Sequence, residues 1–216
     1  MRDKENLSPL GHKLRRFNRK ERYWLLENIL EHFSESKINQ GFKKFIASEL
    51  AINIPERGVY WAFDYHFDWI YAAVASNADL DEDTVYENSK ELKIRGTQQD
   101  IDFLICFDET LILIEAKGVT GWKEKQFLEK VERIKELKKH LYAKIGAKHK
   151  IYFFLMSPKD LSKKFQNPLG SSEEIPSRHI RMQIDDDLVF VRRCDKDGKD
   201  YHQWKIIPSA TNRFLD

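Results

Sequence analysis

Glu115, Ala116 and Lys117 form an acid-x-Lys triplet at the end of an apolar run, Leu111-Ile112-Leu113-Ile114. In an extended strand residues i and i+2 share a face, so Glu115 and Lys117 stand side by side. A carboxylate and an ammonium at the rim of an apolar core are costly unless they pair with each other or hold a metal. The triplet alone carries little weight. Glu35-Ser36-Lys37, Glu91-Leu92-Lys93, Glu136-Leu137-Lys138 and Asp197-Gly198-Lys199 have the same form, in a chain that is 33% charged. Only the triplet at Glu115 ends an apolar strand, and that run has no polar residue on either face, as in a strand covered on both sides.

A second apolar run at 101–107 precedes it, and Asp108-Glu109-Thr110 separates the two, a hairpin signal. A two-residue turn at Asp108-Glu109 pairs Phe107 with Thr110. Counting outward from that pair puts Asp102 opposite Glu115 and Asp100 opposite Lys117. Directly paired residues share a face, with Cβ atoms about 5 Å apart. Two carboxylates at that separation repel each other unless a cation lies between them. A hard divalent ion, Mg²⁺ or Mn²⁺, takes oxygen ligands at about 2.1 Å and suits that place. A three-residue loop would turn Asp102 to the opposite face, so the metal site requires the even register. The plainer alternative is a rim salt bridge from Lys117 to Glu115 or Asp100.

The elements that must hold these residues follow from periodicity. Apolar residues on one stripe predict a helix over 19–34, with Leu25, Leu26, Ile29, Leu30 and Phe33 inward. A second, shorter helix is expected over 40–51. Residues 60–71 alternate like a strand, although 69–76 could equally open an Ala-rich helix. Their aromatics read as a packed core layer ahead of a base-stacking platform. A short strand is weighed at 92–94. A long amphipathic helix is expected over 122–145 with Gly146 as its cap, then an apolar strand at 151–156 suited to mid-sheet. Residues 158–176 read as a polar loop. A terminal hairpin is expected from 188–192 and 201–207. The predicted class is α/β (α+β): a central mixed sheet flanked by helices, with a helical region at the N-terminal end. Residues 1–18 read as a basic, loosely ordered arm and 19–216 as one domain, its core at about 85–160.

The run Asp100-Ile101-Asp102-Phe103-Leu104-Ile105, followed by Leu113-Ile114-Glu115-Ala116-Lys117-Gly118, resembles the PD-(D/E)xK nuclease superfamily, the restriction-endonuclease-like fold. The resemblance spans about 95–157. The first Pro of the family's nominal motif is absent here. The resemblance implies a nuclease in which Asp102, Glu115 and the Ala116 carbonyl ligate Mg²⁺ or Mn²⁺ and Lys117 orients the attacking water. It implies DNA as substrate ahead of RNA. The chemistry is coherent, because phosphodiester hydrolysis needs a nucleophile at neutral pH and relief of oxyanion charge, and a metal supplies both.

Relatives in that superfamily often add a Glu from an early helix. Angular counting sets Glu21 beside the first helix's stripe and turns Glu27 and Glu31 away from it. In the second helix Phe42, Phe45, Ile46 and Leu50 make the stripe, which points Glu49 inward and makes it the candidate. Gln126 is another, since RecB-like nucleases carry a Gln in the following helix with Tyr four residues on. Here Lys130 stands at that second position. Lys123, Lys125, Lys130 and Arg133 could track a phosphate backbone, with salt-dependent and largely sequence-neutral affinity. Each could equally serve only to solvate its helix.

The net charge of +2 conceals segregation. Residues 121–164 carry thirteen Lys or Arg against five Asp or Glu, whereas 76–116 carry eleven acids against three bases. An acidic pocket suits cations and a basic rim suits phosphates. Cys106 lies in an apolar run and reads as a buried thiol. No apolar window reaches membrane-spanning length and no secretion signal is evident, so a cytoplasmic protein is expected. The scattered histidines and the absence of CxxC spacing give no structural zinc site. The same residues also suit a nucleic-acid-binding module without turnover, or an α/β protein-interaction domain. A homodimer is weighed too.

Overall fold

The computed structural model describes residues 7–18, 25–26, 38–76, 84–88, 94–96, 99–117, 123–145, 150–158, 160–162, 165, 177–182, 189–194 and 203–208. The elements are α1 (Pro9–Phe17), α2 (Gln40–Leu50), β1 (Tyr60–His66), α3 (Phe67–Ala75), β2 (Asp100–Phe107), β3 (Thr110–Ala116), α4 (Glu124–Ile145), β4 (Lys150–Ser157), β5 (Ser177–Arg181), β6 (Val189–Cys194) and β7 (Gln203–Pro208). Strands β1 to β5 form one mixed sheet in chain order, and β6 pairs with β7 in a second, two-stranded sheet. β1, β2 and β3 are antiparallel neighbours; β4 and β5 continue in parallel. The class is therefore α+β, with a central mixed sheet flanked by helices, as the periodicities predict.

Each face of the sheet buries a core. Leu104, Leu113 and Phe153 pack with Leu14 of α1, Ile70 of α3 and Ile134 of α4. Ile105, Ile112, Ile114 and Phe154 pack on the other face with Ile46 of α2. β3 and β4 are sheet-interior strands covered on both faces, which is why their runs show no polar alternation. No helix among the described residues is long and apolar enough to cross a membrane. Cys106 is a buried free thiol, pushed up to about 12 by burial.

Several boundaries differ from expectation. The basic arm at 1–18 contains α1, so at least 9–17 belong to the folded unit. Ser8 caps it by accepting the Gly11 N–H at 3.2 Å, and Pro9 suits the first turn, where its missing N–H costs nothing. Leu10 and Leu14, one turn apart, face the core. The run at 60–71 holds both of its readings: β1 ends at His66, whose Nδ1 accepts the Asp68 N–H at 3.2 Å and caps α3. Tyr60, Tyr65, Phe67 and Tyr71 are fully buried in the α4-side core, whereas Trp61 stacks on Phe103 against the other. β5 was not anticipated. Ser-Arg-His-Ile-Arg has little apolar patterning, and pairing to β4 makes it a strand. The helix expected at 19–34 lies outside the described residues apart from Leu25 and Leu26, which are helical; Leu25, expected inward, is exposed. Residues 92–93, Gly146 and most of 158–176 also lie outside them, and Ile94 is not in a strand.

One buried ion pair fixes α4 over the sheet. Arg133 is 1% exposed, and its guanidinium donates to Asp68 Oδ1 at 2.7 Å and to Gln99 Oε1 at 3.0 Å. It sits 5.1 Å from the Phe67 ring centroid and 4.8 Å from that of Tyr71. The other Asp68 oxygen accepts the Arg95 and Gly96 N–H groups at 3.2 and 2.8 Å. Gly96 has φ +65, a left-handed conformation that glycine adopts without strain. Three segments, α3, α4 and the stretch at Arg95 and Gly96, thus meet at one carboxylate.

Removing one partner of a buried pair strands the other charge, so Asp68→Ala should lose about 3–5 kcal/mol of stability in urea unfolding. Burial pushes the Asp68 carboxyl up, but Arg133 and the two N–H groups outweigh it and hold it below the usual range. Its contribution is complete above the ordinary aspartate value and is lost as pH falls through the depressed folded value. Wild type should lose that increment on acidification, and Asp68→Ala should not.

Candidate active site

The hairpin turn has two residues. Phe107 pairs with Thr110, and the even register runs through Leu104↔Leu113 to Phe103↔Ile114. The next step would set Asp102 against Glu115, but the ladder stops there. Asp102 Oδ2 instead accepts the Ala116 N–H at 2.6 Å, a donor that a regular ladder would give to a β2 carbonyl. The cause lies in β1 and β2 together. Pairing steps from Phe63↔Phe103 to Tyr65↔Ile101, passing over Asp64 and Asp102, and Asp64 has φ +48. Ile101 and Leu104 both join the α4-side core, so strict alternation breaks between them. The break turns Asp102 toward the end of β3.

Glu115 follows Leu111 and Leu113 on the face covered by α4 and is 5% exposed. Its Oε1 accepts from Lys117 Nζ at 3.3 Å. Its Oε2 is ion-paired to Lys130 Nζ, which also donates to the Asp100 carbonyl at 2.8 Å. The Lys117 N–H donates to the Met156 carbonyl at 2.8 Å, continuing the β3–β4 pairing past Ala116. Burial pushes the Glu115 carboxyl above its ordinary value. Lys130 pulls it down, the Asp102 charge pushes it up, Lys117 pulls it down, and the outcome stays raised. Asp102 and Glu115 are thus close enough to feel each other's charge.

A cleft of about 230 Å³ opens beside them, lined by Asp100, Glu115, Lys117, Lys123, Gln126 and Lys130 among others. Gln126 is among its lining residues. Gln126 and Lys130 stand one turn apart on α4, and Lys123 immediately precedes the helix, its carbonyl accepting the Phe127 N–H at 3.0 Å. Asp102 is not among the cleft's lining residues; its Oδ2 holds the Ala116 N–H at the strand end, within electrostatic reach of Glu115. Lys125 is exposed on α4 outside the cleft.

Three expectations need correction. Glu49 is exposed and stands 3.7 Å from Arg178 Nε on β5, away from the Glu115 cleft. The stripe was misplaced because Phe45, counted as inward, is 41% exposed, while Lys43, Ala47 and Leu50 face the sheet side. Recentring on the packed residues moves Glu49 about 90° from the stripe. Arg133 is buried against Asp68 and offers no phosphate contact. Lys130 is not an outer-surface cation; it is 14% exposed at the side chain and holds Glu115. Lys130 lies within α4's own apolar stripe, about 60° from Phe127 and 40° from Ile134, so angular counting on this helix would have found it. Glu21, Glu27 and Glu31 lie outside the described residues.

One polar pair had no sequence signal. Ser157 Oγ, at the end of β4, and His179 Nε2, in the middle of the parallel neighbour β5, are 2.9 Å apart. Burial lowers the His179 imidazole, and Asp160 opposes that shift.

The donors around Glu115 suit a hard cation. Glu115 Oε2 and the Asp100 carbonyl already converge on an ammonium, so a positive charge stands between two oxygens. Among the described residues no three His, Cys, Asp or Glu side chains converge as a ready-made metal cluster. A metal here would rest on Glu115, Asp102 and main-chain oxygen. Comparison with protein-family models, curated proteins and solved structures finds no match.

The two neighbours of Glu115 act on it with opposite sign. Lys130→Met should raise the Glu115 carboxyl further, and Asp102→Asn, which can still accept the Ala116 N–H, should lower it. A carbon-13 NMR titration of the side-chain carboxyl reads both.

Proposed function

We propose that the protein is a metal-dependent nuclease that hydrolyses phosphodiester bonds with a metal-activated water. The observation that carries this reading is Glu115: a buried carboxylate at the end of an apolar strand, beside a lysine-lined cleft, with Asp102 hydrogen-bonded to the next residue. Glu115, Asp102 and the Ala116 carbonyl would hold Mg²⁺ or Mn²⁺, a hard ion suited to oxygen donors. Such an ion would supply a lowered pKa for bound water and relief of charge on the phosphate. Lys117 would orient the water, and Gln126 on α4 and Lys123 just ahead of it would face the scissile group. The PD-(D/E)xK resemblance of the hairpin sequence supports this reading and, by what it implies, DNA ahead of RNA as substrate. The buried free thiol of Cys106 fits a reducing compartment, so the proposal places the protein in the cytoplasm.

A second reading draws on a specific observation. Both Glu115 oxygens are paired with lysines, as they would be in a nucleic-acid-binding module that does not turn over. Titrating Mg²⁺ or Mn²⁺ against mixed DNA and RNA substrates separates the two. Wild type should cut in a metal-dependent way, and Lys117→Ala, Asp102→Asn and Glu115→Gln should each lose at least about a hundredfold. Nucleic-acid binding without cleavage supports the second reading. Cleavage unaffected by the substitutions rejects the site.

A further inference from the structure

The Lys130 ammonium sits where a cation would sit. It bridges Glu115 Oε2 and the Asp100 carbonyl, two hard oxygens, and its side chain is 14% exposed. The same side chain borders the cleft, together with Lys123 and Gln126. A lysine stem is flexible and carries a compact charge, so it can exchange one oxygen partner for another within reach. Glu115 cannot give the same oxygen fully to an ammonium and to a divalent ion. Two cations beside one carboxylate also repel each other.

We propose that Lys130 is a built-in counter-ion whose ammonium competes with the divalent ion for Glu115, and that a phosphate in the cleft draws it away, so that metal and nucleic acid bind cooperatively. The inference rests on the nuclease reading and adds to it. Without nucleic acid, Lys130 neutralises the buried carboxylate and metal affinity is low. With a phosphodiester in the cleft, Lys130 gains a new acceptor and Glu115 is released to the metal. Linkage then requires that metal strengthen nucleic-acid binding by the same factor. Lys117 does not serve this purpose equally: it is more exposed, at 30%, and its backbone is tied to β4.

The test measures Ca²⁺ affinity by calorimetry, alone and with a short DNA duplex. Ca²⁺ shares the oxygen-donor preference. In wild type the duplex should tighten Ca²⁺ binding, within the roughly 5- to 150-fold span of typical coupling. Lys130→Gln, which removes the charge and keeps a hydrogen-bond donor on a side chain one atom shorter, should bind Ca²⁺ more tightly than wild type without DNA and gain little from the duplex. Lys130→Met should behave alike, and Lys130→Arg should retain the coupling. Equal or weaker Ca²⁺ binding by both neutral variants, or equal duplex effects in all proteins, overturns the inference. Mg²⁺-dependent cleavage by wild type is read in parallel: if it persists while coupling is absent, only the counter-ion role falls. If no protein binds Ca²⁺ with or without duplex and none cuts, the nuclease reading falls with it.

Discussion

Everything near the cleft is arranged around one electrostatic difficulty, a carboxylate buried at the end of an apolar strand. β3 lies between β2 and β4 and beneath α4, so Glu115 has little water to solvate its charge. Desolvation of an isolated ion is worth many kcal/mol, and a protein relieves it by pairing or by neutralising the group. Here two lysines stand on the carboxylate from different elements, one on its own strand end and one on the helix above. The chain retains an expensive group where Leu or Val would pack more cheaply. Such a local inconsistency is where a functional site is expected.

Lys130 reaches Glu115 because α4 is held in register by another buried pair three residues along. Arg133 ties α4 to Asp68 of α3, and Asp68 also gathers the main chain at Arg95 and Gly96 ahead of β2. That network lies behind the cleft and fixes both the helix carrying Lys130 and the segment leading to Asp100 and Asp102. The two ion pairs are different in kind. Arg133–Asp68 is closed off by aromatic rings and serves the fold. Lys130–Glu115 borders open space and can exchange partners.

Much of this was legible in the sequence because it follows from periodicity and turn length. The doubly apolar β3 and β4, the two-residue turn at Asp108-Glu109 and the long helix each have a short-range signature. The break at Asp64 and Asp102 was not legible, since a left-handed residue and a skipped pair depend on how β1 and β2 meet. It converts a cross-strand carboxylate pair into a side-chain bond to Ala116. Glu49 was misplaced by a single exposed phenylalanine, which shows how little a short helix constrains its own orientation. Lys130 carried a signal that went unused: a charge within an apolar stripe. α1 also had its signal in Ser8-Pro9 and the Leu10/Leu14 spacing. β5, and with it the Ser157–His179 pair, had none, because a short edge strand takes its conformation from its neighbour.

The central claim is that the oxygens around Glu115 form a divalent-cation site. Its most direct test is a crystal of the protein with a DNA duplex grown in Mn²⁺, with data collected for manganese anomalous scattering. The account predicts an anomalous peak between the Asp102 and Glu115 carboxylates at about 2.1–2.2 Å from the nearest oxygens, with Lys130 turned away. A fully occupied duplex with no anomalous peak at Glu115, and Lys130 still seated on it, would contradict the account.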